Sequence, residues 1–146
     1  MLTALYRLAD RLRHWKRLRS ENPAHAWGKR GEDLAHRYLQ SRGHVIVARN
    51  YKTRGGTAEV DLITEDGGTL VFVEVKTRAT NWFGAPEQAV DAEKRQRILR
   101  GASHYLGHVD EQREKVRFDI VTVLFGKTQR IEHIRDAFGR SATNQY

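Results

Sequence analysis

Two short acidic clusters, Glu59-Val60-Asp61 and Glu74-Val75-Lys76, hold the residues of this chain best suited to chemistry. Carboxylate oxygens are the ligands Mg²⁺ prefers; the ion binds through one or two acids and keeps water or substrate phosphate in its other positions. A metal so held polarises a phosphoryl oxygen and lowers the pKa of a bound water. An ammonium two residues beyond Glu74 is placed to orient that water or to stabilise charge in the transition state. Asp61, Glu74 and Lys76 are therefore the catalytic candidates. Asp61 and Glu74, with the Val75 carbonyl, are the metal-ligand candidates, and Mg²⁺ or Mn²⁺ is the expected cofactor. Together they supply what phosphodiester hydrolysis requires.

Both clusters fall on predicted strands, near 58–64 and 69–77, joined by a turn at Asp66-Gly67. A two-residue turn there pairs Leu62 with Val71, Asp61 with Phe72, Val60 with Val73 and Glu59 with Glu74. Side chains alternate along a strand and directly opposed residues share a face. One face then carries Val60, Leu62, Val71, Val73 and Val75. The other carries Glu59, Asp61, Glu74 and Lys76, with Ile63, Leu70 and Phe72 nearer the turn. Asp61 sits diagonal to Glu74, with Cβ atoms within roughly 8 Å. Charges alternating with valine are common on edge strands, and spacing alone favours that bland reading. Opposed acids tip the balance, because the cluster costs stability unless a cation relieves it.

These strands need elements around them. Periodicity predicts a helix over 24–42, ending at Gly43, and Glu32 shares a face of it with Ala35 and Leu39. From there Glu32 either reaches the same metal or stays an ordinary surface acid. A strand at 44–48 and a loop at 50–57 precede the hairpin; a helix at 87–106 and strands at 116–124 and 131–134 follow it. The expected fold is α/β, a mixed central sheet flanked by helices. Lys94 and Gln88, on the later helix, are candidates for nucleic-acid contact, with Lys52, Arg54 and Arg78. Arg97 and Arg100 read equally well as a solvated basic face. His104 and His108 have the spacing of a metal pair but lack a third ligand, so a surface position is expected. Asp119, within an apolar strand, reads as a structural hydrogen-bonding group. Trp82 and Phe83 either stack on a base or pack their loop.

Composition narrows the setting. The 146 residues fit one domain and contain no cysteine, which removes disulfides and thiolate zinc sites together. No apolar run approaches a membrane span and no secretory signal is evident, so a cytoplasmic setting is expected. Of the net charge of +8, residues 1–20 contribute +5, from Arg7, Arg11, Arg13, Lys16, Arg17 and Arg19 against Asp10. Leu2, Leu5, Leu8, Leu12 and Trp15 recur among them at steps of three and four, giving a basic amphipathic helix. Its expected partner is DNA, an anionic membrane surface or another protein. The organisation expected is an N-terminal extension at 1–20, a domain at 24–140 and a tail at 141–146.

Several separated segments occur in an order that resembles the YraN family: Gly31-Glu32-Asp33-Leu34-Ala35, Arg49-Asn50-Tyr51, Glu59 to Ile63, Leu70 to Arg78, Phe83-Gly84, Ala89-Val90, Lys94 and Arg117 to Val121. The likeness covers about residues 24–140. That family is similar to the PD-(D/E)XK nucleases and to archaeal Holliday-junction resolvases. The resemblance implies a restriction-endonuclease-like core, metal or catalytic roles for Glu32, Asp61, Glu74 and Lys76, and cleavage of DNA, branched or recombination-type structures included. A homodimer would suit symmetric junctions. Val60 stands where the superfamily name places proline, and Gly55-Gly56-Thr57-Ala58 departs from the usual glycine directly before the first acid. The competing expectation is a nucleic-acid-binding or assembly module that keeps the fold without catalysis.

Overall fold

Glycine chemistry fixes the central hairpin. In the computed structural model, which describes residues 2–20, 23–79, 92–108 and 115–139, strands β2 (Glu59–Asp66) and β3 (Thr69–Ala79) pair through Asp66↔Thr69. The turn residues are therefore Gly67 and Gly68, with φ of 54° and 88°. A type I′ turn needs positive φ at both central positions, which two glycines supply without strain. Asp66 stays in the strand, so the register differs by two residues from that expected: Leu62 faces Val73 and Ile63 faces Phe72.

Helix α2 (Pro23–Ser41) begins on a proline, whose missing N–H costs nothing in a first turn. It ends in a Schellman motif: Gly43, at φ 90°, donates its N–H to the Gln40 carbonyl, and the His44 N–H reaches the Leu39 carbonyl. Strand β1 (Val45–Lys52) follows and runs through Asn50 to Lys52, where a loop was expected. Its pairing with β2 shifts between Ile46 and Ala48. Helix α3 (Ala92–His108) connects β3 to the parallel strand β4 (Val116–Phe125), and β5 (Arg130–Ile134) closes the far edge antiparallel to β4. The five strands lie in chain order. The result is the mixed α/β sheet flanked by helices that the sequence predicts.

Each face of the sheet buries one apolar cluster. Ala35 and Leu39 of α2 cover Leu62, Val71, Val73, Val75, Val121 and Val123. On the other face Ile98 and Ala102 of α3 meet Ile63, Phe72, Phe118 and Ile120. Phe72 and Phe118, directly paired across β3 and β4, stack at 5.5 Å between ring centroids. Helix α1 (Leu2–Ser20) lies on α2. It turns Asp10 and His14 inward: Asp10 meets Arg37 of α2 and Arg13, and His14 packs on Trp27. Among the described residues no helix is long and apolar enough to cross a membrane.

At the turn end of the sheet, fully buried Asp119 collects its partners from three segments. Arg117 donates to both its oxygens at 2.8 and 3.0 Å, His133 Nε2 lies 2.8 Å away, and the Asp136 amide donates at 3.0 Å. Arg117 also reaches Asp66 at 3.0 Å, tying β4 to the hairpin. Burial works to raise the Asp119 pKa, but the bonds from His133, Arg117 and the Asp136 amide outweigh it and hold it below the ordinary value. A depressed pKa contributes stability above the unfolded value that is lost as pH falls through the folded one. Asp119→Ala should lower unfolding free energy at pH 7 by about 3–5 kcal/mol, because it leaves half-buried Arg117 with Asp66 alone and takes the acceptor away from His133 and the Asp136 amide. Urea denaturation checks this, and a loss under ~1 kcal/mol would deny the network a structural role.

Candidate active site

The strands that carry the two acidic clusters part company at Asp61. Regular pairing of β2 with β3 runs from the turn to Leu62↔Val73. One step further the Val75 amide donates instead to Asp61 Oδ2, at 2.8 Å. Strict alternation also fails here. Leu62 keeps the expected face with Val71, Val73 and Val75, which α2 covers, while Val60 packs under α3 instead. Glu59 does not oppose Glu74: it pairs with Lys52 in β1 and meets Arg97 at 3.7 Å. The two-residue register difference moves Asp61 into that place. Its carboxyl faces that of Glu74 closely enough for each to feel the other's charge.

Two glycines let both helices close on this point. A Cβ on Gly31 would stand 2.2 Å from Thr77 Oγ1, and one on Gly101 would stand 2.8 Å from Val60 Cγ2. Any larger residue would push α2 off β3 beside Glu32, or α3 off β2 beside Asp61. Asn50, between the Arg49↔Leu62 and Tyr51↔Val60 pairs and therefore level with Asp61, adopts a left-handed φ of 49°. Its side-chain oxygen accepts from Lys29 of α2 at 3.2 Å.

The electrostatics follow from burial. Asp61 is 7% exposed and Glu74 2%. Lys76 and Lys94 stand 3.2 and 3.4 Å from the same Glu74 oxygen. Burial, then the charge of Glu74, pushes the Asp61 pKa up to about 7, against the pull of the Val75 amide. Glu32 is raised as well, by burial and by Asp61, while Lys29 at 3.3 Å and Arg49 at 4.0 Å work against the rise. Glu32 therefore senses Asp61, although its nearest described partners are cations. Among the described residues no three acidic or imidazole side chains form a ready-made metal cage. Mg²⁺ does not need one, since two acids, a main-chain carbonyl, water and substrate phosphate fill its shell.

The remaining candidates divide. Lys94 joins the site through Glu74. Arg78 donates to the Thr77 carbonyl, Lys52 is exposed beside Glu59 at 3.7 Å, and Arg54 is exposed in the β1–β2 loop. Arg97 and Arg100 tie that loop to α3 through the carbonyls of Gly56 and Thr57, which is a structural task. His104 bonds the Tyr51 hydroxyl and stacks on His108. Gln88, Trp82 and Phe83 lie outside the described residues. Sequence reasoning missed Lys29, which reaches both Glu32 and Asn50, Asn50 itself, and Thr122. The last is level with Lys76 in the β3–β4 register, and its buried hydroxyl has no hydrogen-bond partner among the described residues. Only contacts between distant segments identify these residues, so no local pattern announces them.

Fold and site together define a mixed α/β protein whose diverging central strands press a buried carboxylate pair against two lysines. Residues 31–123 match the Uncharacterised protein family UPF0102. The chain is 53% identical over 138 residues to a UPF0102 protein of Solibacter usitatus, covering 94% of this chain and all of that one. It is 46% identical over 120 residues to one from Nitratidesulfovibrio vulgaris (82% and 88% covered) and 45% identical over 113 residues to one from Geobacter sulfurreducens (76% and 87%). The chain belongs to the UPF0102 family, the YraN family whose segments the sequence displays.

A protonated Asp61 has a thermodynamic signature. Its folded pKa of about 7 lies above the ordinary 3.8, so between these values the folded state holds a proton that the unfolded state has released. Stability therefore falls as pH rises through that window. His36 and His44, whose pKa values burial lowers, contribute the opposite slope. The clean readout is thus the difference between wild type and Asp61→Asn. In chelator-treated buffer the variant should gain on wild type in melting temperature from pH 5 to pH 8, by an amount approaching several degrees. Parallel curves would mean that Asp61 is ionised throughout.

Proposed function

We propose that the chain is a metal-dependent endonuclease of the PD-(D/E)XK type, hydrolysing phosphodiester bonds in DNA, with branched or recombination-type structures as its substrates. The observation that carries this reading is the contact of Asp61 with Glu74 beside Lys76 and Lys94. Two buried acids facing each other form a site that a divalent cation would relieve, and an oxygen-only donor set suits Mg²⁺ or Mn²⁺. The order of α2, three antiparallel strands, α3 and a parallel strand supports a restriction-endonuclease-like core.

Asp61 and Glu74, with the Val75 carbonyl, would hold the metal, and Glu32 would complete its surroundings. Bound there, the ion supplies charge stabilisation and an acidified water. Asp61 is kept in line by the Val75 amide and would hold the ion as the carboxylate. Lys76, beside Glu74 at 3.2 Å, would orient the attacking water or neutralise charge on the phosphate in the transition state. Lys94 repeats this from α3, while Lys52, Arg54 and Arg78 offer cations to the flanking phosphates, and Gln88 belongs to the same expected DNA contact. A homodimer would present two such sites to a symmetric junction.

The test combines ligand binding with turnover. Mn²⁺ or Mg²⁺ should raise the melting temperature of wild type and leave Asp61→Asn unmoved. Linear, flapped and four-way DNA should then be cut by wild type, and about 100-fold or more slowly by Lys76→Ala and Glu74→Gln. The catalytic assignment is lost if Lys76→Ala cuts as well as wild type. DNA retained on the protein but never cut would favour the binding or assembly module.

A further inference from the structure

Helix α1 docks with Leu8, Leu12 and Trp15 of its apolar stripe outward. The row that meets the body is Asp10 and His14, 4% and 7% exposed. Leu8 and Leu12, one helical turn apart, are 55% and 64% exposed, and Trp15, next on the same stripe, is 64% exposed. A helix serving only to cover the domain would have turned these residues inward. Beside the stripe runs a row of cations. Arg7 and Arg11 stand next to Leu8 and Leu12, and they line a pocket of about 620 Å³ with Arg30, Leu8, Leu34 and Asp10. Asp10, the acid of that pocket, is already engaged by Arg13 and Arg37. Among the described residues no ion pair engages Arg7, Arg11 or Arg30. The outer surface of α1 is thus aliphatic and cationic, with its one acid neutralised.

We infer that α1 seats the protein on an anionic lipid surface, with Leu8, Leu12 and Trp15 entering the acyl boundary and Arg7, Arg11 and Arg30 taking phosphate headgroups. Charge complementarity selects this occupant. A lipid interface offers apolar depth and negative charge within one helix diameter, which is what an interfacial helix needs. Nucleic acid offers the charge but buries no leucine on a phosphate backbone. A second copy would bury the leucines but would bring Arg7, Arg11 and Arg13 of both copies together. The inference stands apart from the proposed chemistry at Asp61 and Glu74, and either can hold without the other.

Flotation of the full-length protein with vesicles tests it. Recovery with phosphatidylcholine vesicles containing phosphatidylglycerol, little recovery with phosphatidylcholine alone, and loss of binding as salt rises are the expected results. Leu8→Ser with Leu12→Ser should weaken partitioning about tenfold or more, and Arg7→Gln with Arg11→Gln should remove the preference for anionic vesicles. These positions are exposed, so unchanged melting temperatures confirm that the variants fold. Absence of binding to anionic vesicles, or stripe variants that float like wild type, would overturn the inference. So would a wild-type dimer, seen by sedimentation velocity, that Leu8→Ser with Leu12→Ser dissociates, since the stripe would then belong to a second copy. Loss of DNA affinity in the same stripe variant, with vesicle binding intact, would overturn it in favour of nucleic acid.

Discussion

Two carboxyl groups that water scarcely reaches are held against each other where β2 and β3 diverge, and the geometry around them follows from that contact. Like charges facing each other in a poorly solvated site cannot both ionise freely, so Asp61 keeps its proton to about pH 7. Lys76 and Lys94 both lie on Glu74, the acid that faces Asp61. The Val75 amide, released from the ladder, holds Asp61 in place. Gly31 and Gly101 remove the side chains that would keep α2 and α3 away. Take away the repulsion and none of these arrangements has a common purpose.

The chemistry of the site was readable because it is local. Asp61, Glu74 and Lys76 lie within sixteen residues of one hairpin, and the predicted element order matches the observed one. The register was misjudged by two residues because Asp66-Gly67 and Gly67-Gly68 are both turn dipeptides. Only the second gives positive φ at both central positions without a Cβ. An even displacement keeps most side chains on their faces, so the apolar pattern could not expose the difference. It did change partners, replacing Glu59 with Asp61 across from Glu74. The position of Val60 was not legible either, since leaving strict alternation at Asp61 depends on how Gly101 of α3 meets the strand.

Helix α1 shows a different limit. Its amphipathic pattern is plain in the sequence, but pattern alone leaves open which side meets the domain and which meets a partner. In the structure Asp10 finds Arg37 and His14 finds Trp27 on the inner row, and Leu8, Leu12 and Trp15 stay exposed. A polar pairing between two helices thus decides which surface the helix shows to the outside.

The two ends of the sheet treat a buried acid in opposite ways, and the contrast separates scaffold from function. Asp119 receives both donors of Arg117, His133 and a backbone amide, enough to overcome its burial and hold its pKa low. That carboxylate is saturated and has nothing left to offer a ligand. Asp61 receives one amide and faces a second acid, and its pKa is driven up instead. Folding alone could remove that cost by replacing either residue with a neutral isostere. Keeping both acids, with two ammoniums on Glu74, leaves Asp61 with far less compensation than Asp119 receives. The shortage of compensation at Asp61, set against its abundance at Asp119, is what supports the proposed binding role of the first and makes the second a joint of the fold.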